Sequence, residues 1–320
     1  MTSVKRVTGY VAVLAFLLAW ACSPSVRTNE AAYKPPPSLA LVAVVDPSQG
    51  RLPGQIHQLQ DVIKAGATPG EAVVVMLLEP SFGTTYVVQK GDSLSSIAAS
   101  HGLTLSALEA ANPQLGPLSG RDWKLIYSGE HVLLPNGSAA GALLLTSKAP
   151  SGPPPPALVA VPPSPSNPTD YQRAQHEHAV ANATATNQSR IAAWNDAVNQ
   201  ALQPWQADLI AQLDKVAVAS TQAHAPDGPM LSASLQAAQI TLRGLNGRRV
   251  LLVLGGGDST PNALPAQSLG GTELIVANLT DAASTTRWQS AAAGCGAVSV
   301  TALDAALTQL NLTQVVDHRT

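Results

Sequence analysis

Two unbroken apolar runs, Leu39–Val45 and Ala72–Leu78, constrain the fold of this chain more than any other feature. A strand that is apolar at every position buries both faces, which is typical of a parallel sheet covered by helices on two sides. The segment between the runs carries apolar residues at helical spacing, at Ile56, Leu59, Val62 and Ile63. The three elements therefore predict a βαβ unit with a right-handed crossover.

Strands and helices also alternate after residue 156 and can supply the rest of that sheet. The predicted strands are Ala157–Val161, Arg249–Leu254, Glu273–Leu279 and Ala297–Val300. The predicted helices are a long one from about Asp170 with an apolar stripe from Ile191 to Val216, one holding Leu231 and Leu242, one from Asp281 to Ala293, and one holding Leu303, Leu307 and Leu310. Pro204 should kink or split the long helix. The predicted fold class is α/β, a parallel sheet with helices on both faces, and the proline-flanked Ala157–Val161 suits its edge.

Charge and cysteine content exclude several classes of protein. The net charge is −2 and 12% of residues are charged. No basic patch is present, so we expect no nucleic-acid partner. Two cysteines cannot form a disulfide framework if Cys22 is removed or modified. Cys295 lies between glycines, which favours a buried small residue, and no neighbouring His supports a catalytic thiol.

The N-terminus is typical of an exported protein. Lys5 and Arg6 precede the apolar run Val11–Trp20, which is shorter than the roughly 20 residues that a membrane-spanning helix needs. Cys22 follows small residues and resembles the lipidated cysteine of a bacterial lipoprotein. We therefore expect residues 1–22 to be a signal segment, with a lipid on Cys22 anchoring the protein to the membrane. Simple secretion is the alternative, and 23–37 is predicted to be a disordered tether.

Residues 84–136 predict a small βααβ unit. A short strand at Tyr86–Val88 is broken by Gly91-Asp92, and a helix carrying Leu94 and Ile97 follows, capped by Asp92 or Ser93. A second short helix carries Leu103, Leu105 and Leu108 and stops at Asn112-Pro113. The strand Val132–Leu134 closes the unit. A unit of this size buries little surface and is marginally stable alone.

These motifs resemble a LysM module, a family that binds N-acetylglucosamine-containing glycans such as peptidoglycan. The resemblance implies a sugar groove between the Gly91–Leu94 loop and the loop after Asn112. It assigns glycan contacts to Gly91, Asp92, Ser93, Leu94, Asn112 and Pro113. Backbone groups in both loops suit the amide of an N-acetyl group. Ser93 replaces the usual Thr, Ser128 the usual Pro, and 116–124 is longer than the family needs. The alternative is a folded module that does not bind.

The flanking segments, 38–83 and 157–316, resemble a von Willebrand factor A-like domain of the exported bacterial kind. The resemblance is carried by Asp46-x-Ser48-x-Gly50, Ser232–Ala238, Leu251–Leu254 and Trp288–Ala297. It implies that the LysM module replaces an edge hairpin, with the Pro/Gly/Ala-rich 137–156 as a return linker. The family often binds a divalent metal, for which Asp46 and Ser48 are the weak candidates here. Because this set has too few oxygen ligands for Mg²⁺, we expect no metal and no other cofactor.

Catalytic patterns are missing from the sequence. The Gly255–Asp258 segment is followed by prolines and not by the helix that a phosphate loop needs. We find no Cys–His pair, zinc-binding set or paired carboxylates with the spacing that hydrolases use. We therefore expect a non-enzymatic cell-envelope protein with peptidoglycan and the membrane as partners. The alternatives are an envelope enzyme with an unrecognised site and an adhesion module whose α/β domain binds another protein.

Overall fold

The structure is a computed structural model that describes residues 31–46, 51–78, 84–135, 143–219, 228–255 and 269–304. The strands are β1 (Ala31–Ala32), β2 (Leu39–Val45), β3 (Ala72–Leu77), β4 (Thr84–Val87), β5 (His131–Leu134), β6 (Leu143–Lys148), β7 (Ala157–Leu158), β8 (Arg248–Leu254), β9 (Thr272–Leu279) and β10 (Ser299–Asp304). The helices are α1 (Leu52–Ala65), α2 (Leu94–Ser100), α3 (Leu105–Ala111), α4 (Asp170–Ala219), α5 (Gly228–Arg243) and α6 (Ala282–Ala292). Within the described ranges, no helix combines the length and apolar character that crossing a membrane requires.

The chain divides into two compact units. The first unit comprises Met1–Lys34 and Pro155–Trp194, and the second comprises Pro35–Pro154 and Asn195–Thr320. The helix α4 contributes residues to both units. The segment 84–135, with the LysM-like motifs, lies in the same unit as the large sheet.

A six-stranded sheet forms the centre of the second unit, in the order β10-β9-β8-β2-β3-β6. Its neighbouring strands are parallel except for β6, which pairs antiparallel with β3. The central strand β2 pairs on both sides, so that Val42 lies beside Val74 of β3 and Leu251 of β8. The prediction of an α/β fold with a mostly parallel sheet is therefore confirmed, and strands from before and after the insert are neighbours.

Helices cover both faces of this sheet. On one face, α1 and the end of α4 pack Ile56, Leu59 and Leu209 against the sheet. On the other face, α5 and α6 contribute Leu235 and Trp288. The buried residues of the strands divide between the two faces, because successive residues of a strand point to opposite sides. Val42, Val44, Val74, Val253 and Val276 lie on the α5 face, and Leu41, Val75, Leu252 and Ile275 lie on the α1 face.

The edge strand of the sheet is β6 and not the predicted Ala157–Val161. The predicted linker 137–156 contains β6, whereas Ala157–Leu158 pairs with Ala31–Ala32 in a separate small sheet. The prolines on both sides of residues 157–161 supply no N–H groups, so a ladder in this segment cannot extend far in either direction. The apolar Leu143–Leu145 has no such restriction and pairs along β3.

The first unit corrects two further predictions. The expected tether 23–37 is ordered at Ala31–Tyr33, where the Tyr33 ring packs edge-on against Trp194 with centroids 5.4 Å apart. The segment 157–194, which we assigned to the α/β domain, belongs to this unit instead. Asn187 holds it together, since its side chain accepts the Val159 N–H at 2.8 Å and donates to the Val159 carbonyl at 2.9 Å.

The long helix α4 also differs from expectation, because it continues through Pro204 without splitting. Pro204 lacks the N–H that would bond the Gln200 carbonyl, and both residues are exposed, so water can satisfy that carbonyl. The predicted apolar stripe is confirmed at Val198, Leu202 and Leu209, which are buried.

The end of the described chain requires one more correction. β10 runs from Ser299 to Asp304, so Leu303 is a buried strand residue and not part of a helix. Leu307 and Leu310 lie outside the described residues. The predicted signal segment 1–22 lies outside them as well, including Lys5, Arg6 and Cys22.

Candidate functional site

The segment 84–135 folds as the predicted βααβ unit, hereafter the insert. β4 and β5 pair antiparallel, with Tyr86 opposite Val132. The two short helices close an apolar core of their own, formed by Val88, Leu94, Ile97, Ala98, Leu108, Leu115, Val132 and Leu134. Leu94 is the last residue of the first predicted binding loop and Leu115 lies in the second, so both loops are anchored in the same core.

The first loop is held by a carboxylate and capped by a hydroxyl. The Asp92 side chain accepts the Gln89 N–H at 2.7 Å and the Tyr86 hydroxyl at 2.8 Å. That hydroxyl bond, with burial and the negative charge of Asp92, raises the pKa of Tyr86. Ser93 is the N-cap of α2 and forms a reciprocal capping box with Ser96. The side chains of Asp92 and Ser93 thus shape the loop.

Gly91 presents backbone at the tip of this loop. It is exposed with φ of +95°, a conformation that L side chains rarely adopt. A Cβ on Gly91 would meet nothing within 4 Å. Within the described part of the chain, the Gly91 N–H has no hydrogen-bond partner. The loop therefore offers an accessible backbone donor of the kind that an N-acetyl carbonyl can accept from.

The second loop is braced by Asn112, which is fully buried. Its side-chain amide donates to the carbonyls of Leu108 and Leu133, both at 2.8 Å, and its Oδ1 accepts the Leu133 N–H at 2.7 Å. Pro113 is also buried and begins a short 3-10 turn, Pro113–Leu115. Asn112 therefore fixes the loop against β5 through Leu133, and both Asn112 and Pro113 are buried. This positioning role was not evident from the motif.

The longer part of the second loop is closed by an ion pair that the sequence analysis missed. Arg121 donates to both carboxylate oxygens of Glu130, at 2.6 and 3.1 Å, and to the Leu125 carbonyl. Glu130 also accepts the Tyr127 N–H at 2.8 Å. Trp123 lies flat against Gly116, where a Cβ would come within 2.3 Å of the indole. The partners are distant in sequence and follow no periodic pattern, so no local signal marks them.

The charge state of Glu130 gives a first prediction. Burial acts to raise the pKa of Glu130, but the hydrogen bonds from Arg121 and Tyr127 and the charge of Arg121 outweigh it and lower the pKa overall. A carboxyl group whose pKa is lower in the folded than in the unfolded state stabilises the protein at pH values above its unfolded-state pKa. This stabilisation is lost as the pH falls through the folded-state pKa. The urea concentration at the unfolding midpoint should therefore decrease as the pH is lowered below about 4. Glu130→Gln should be less stable near neutral pH and lose less on acidification.

Glu109→Gln is the control for that measurement. Glu109 lies in the same insert and its carboxylate has no partner among the described residues, so Glu109→Gln removes a charge without breaking an ion pair. If both variants reduced the pH dependence of the urea midpoint equally, this would contradict a specific role for the Arg121–Glu130 pair.

The insert packs directly against the α/β sheet domain. Gln114 fills the space over Gly244 at the end of α5, where a Cβ would lie 2.7 Å from the Gln114 side chain. Leu133 belongs to the core on the α5 face, and Lys148 of β6 donates to the Pro117 carbonyl at 3.4 Å. The insert is therefore part of the second unit and not a tethered appendage.

The weak metal candidates do not form a visible ligand set. Asp46 is buried at the end of β2, and its N–H donates to Gln55 Oε1 at 2.8 Å and to the Leu254 carbonyl at 3.1 Å. Ser48 lies outside the described residues. Among the residues that are described, no three His, Cys, Asp or Glu side chains lie close enough to hold a metal ion. Cys295 is a buried core residue with a free thiol.

Comparison with known protein families agrees with this geometry. The model of the LysM domain family matches residues 86–135, the span from β4 to the end of β5. A LysM domain implies binding of N-acetylglucosamine-containing glycan such as peptidoglycan. The resemblance drawn from the motifs is therefore confirmed for this segment.

Proposed function

We propose that this protein is a non-enzymatic cell-envelope protein that holds peptidoglycan through the insert and uses the sheet domain as a scaffold or interaction surface. The observation that carries the proposal is the first loop, whose side chains are occupied internally while the Gly91 backbone is exposed. The sugar groove that the LysM resemblance implies would take the N-acetyl group between this loop and the one that Asn112 braces. The role of the side chains is to position the backbone of the two loops, through Asp92 and Ser93 in the first loop and Asn112 and Pro113 in the second.

For the sheet domain we propose a von Willebrand factor A-like class. The support is the strand order, with β2 central, and the place of the insert between β3 and its antiparallel neighbour β6. The close packing of insert and sheet means that a partner held by one is fixed relative to the other. No metal or cofactor enters this proposal, and nucleic acid is not a partner.

The proposed location is the cell envelope. The support is the N-terminal sequence, with a positive segment, an apolar run and Cys22. A lipid on Cys22 would anchor the protein to the membrane surface, within reach of the wall, whereas cleavage without lipidation would release it. Changing Cys22 to Ser and fractionating cells separates the two, because only a lipid-anchored protein would move to the soluble fraction.

A second prediction tests the glycan site itself. Gly91→Asn places a side chain over the exposed loop backbone and should lower co-sedimentation with insoluble peptidoglycan by about tenfold, which corresponds to about 1.4 kcal/mol. Asn is chosen because it tolerates positive φ better than other side chains. Circular dichroism of the variant should match that of the unaltered protein.

Gly102→Asn is the matched control. Gly102 is likewise exposed, has φ of +68° and has no atom within 4 Å of its Cβ position, but it lies after α2 and away from both loops. This variant should sediment with peptidoglycan as the unaltered protein does. Equal binding by Gly91→Asn and Gly102→Asn would overturn the assignment of the glycan to the first loop.

A further inference from the structure

A cleft lies between the insert and the edge of the large sheet, and Pro113 and Trp123 of the second loop are part of its lining. One wall is a single face of α3 and the residue beyond it, with Ser106, Glu109, Ala110 and Pro113 at helical spacing. The opposite wall is β6, with Leu144, Leu145 and Thr146, and Trp123 from the longer loop completes the lining. The cleft is open to solvent on one side and has a volume of about 380 Å³. Ligand pockets start at roughly 300 Å³, so one sugar ring fits.

Three polar groups of the lining remain available for a ligand. The Glu109 carboxylate is half-buried and has no partner within the described part of the chain. The same holds for the indole N–H of Trp123, whose ring is half-buried. Thr146 presents an exposed hydroxyl from β6. β6 is the last strand in the order of the sheet and pairs with β3 on one side. The cleft runs along its other side.

We propose that this cleft is a second sugar subsite, which takes an N-acetylhexosamine ring of the same glycan strand. A pyranose ring has an apolar C–H face that packs on an aromatic ring, and hydroxyls at its rim that donate to a carboxylate. Trp123 and Leu144 supply the apolar contacts, and Glu109 accepts hydrogen bonds from the hydroxyls. This inference rests on the proposed function, and Pro113 connects the cleft to the second binding loop.

The subsite exists only in the context of the whole chain. Trp123 comes from the stretch 116–124 that exceeds the usual length of the module, and Thr146 comes from a strand of the host sheet. The glycan would therefore contact both parts of the second unit. Longer oligosaccharides should bind this chain more tightly than shorter ones, because additional rings reach the cleft.

The test is an NMR titration of the full chain with the tetramer of N-acetylglucosamine, following the indole N–H signals of the tryptophans. Trp123→Phe, which keeps an aromatic ring over Gly116, assigns the Trp123 signal by its disappearance. That signal should move on addition of the tetramer. Glu109→Gln should weaken tetramer binding about fivefold, and Glu177→Gln, an exposed glutamate on α4, should leave it unchanged.

The outcomes separate this inference from the proposed function. If backbone signals at Gly91 move but the Trp123 indole does not, and Glu109→Gln binds normally, the subsite is overturned and glycan binding by the loops stands. If the Trp123 signal responds to a free peptidoglycan stem peptide and not to the tetramer, the occupant is a peptide and the sugar assignment is overturned. If the tetramer does not bind the unaltered protein, both proposals fall.

Discussion

Val253→Asp should unfold the second unit as a whole. Val253 is fully buried in β8, beside Val44 of β2 and Val276 of β9. An unpaired carboxylate at this position has no group to bond, and leaving a buried charge uncompensated costs roughly 3–5 kcal/mol. The total stability of a domain is only about 5–15 kcal/mol. Because β2 precedes the insert and β8 follows it, the loss should appear in both halves at once.

Thermal denaturation followed by circular dichroism measures this loss, and Val298→Asp is the control. Val298 lies 71% exposed just before β10, so a carboxylate there stays in water and should leave the melting temperature nearly unchanged. Expression of residues 157–320 alone is the experiment that could contradict this prediction. A soluble fragment with a sharp thermal transition would show that the later strands do not need β2 and β3, and would contradict the account of one shared sheet.

Trp288→Ala should destabilise the protein by about 3–5 kcal/mol, the usual cost of truncating a buried large aromatic residue. Trp288 is 0% exposed and packs from α6 into the core on the α5 face. Its indole N–H is buried and has no hydrogen-bond partner within the described residues. The contribution of Trp288 therefore comes from the volume that it fills and not from a polar contact.

Trp288→Phe distinguishes these two contributions in urea denaturation. It keeps an aromatic ring and removes a buried donor without a partner, so its cost should stay below about 1.5 kcal/mol. If Trp288→Phe were as destabilising as Trp288→Ala, the indole N–H would have to be satisfied in the folded protein, contrary to the structure.

The sheet was predictable from sequence where burial is complete. β2, β3 and the Val250–Leu254 part of β8 are apolar throughout because helices cover both faces of the sheet, and a continuous apolar run of this kind predicts a buried parallel strand. β6 was missed because an edge strand needs only partial burial and lies in a stretch rich in Gly, Ala and Pro. The pairing of β7 with β1 was also missed, since two-residue ladders leave no periodic signal.

The candidate site was predictable in position but not in the role of each residue. The motif located both loops, but it did not indicate that the Asn112 side chain donates its hydrogen bonds to the carbonyls of Leu108 and Leu133. The Arg121–Glu130 pair forms where the long loop folds back on itself, and the cleft at Trp123 forms where that loop and β6 meet in space. Such tertiary contacts follow no spacing rule along the chain.

The most direct test of the central claim is hydrogen exchange of the full chain with and without the N-acetylglucosamine tetramer. We predict slower exchange in peptides that cover residues 89–94 and 112–116, because the Gly91 N–H and its neighbours acquire partners in the complex. Peptides from β2 and β8 should exchange alike in both states. Slower exchange confined to the sheet domain, or no change anywhere at saturating tetramer, would contradict the claim that the insert holds the glycan.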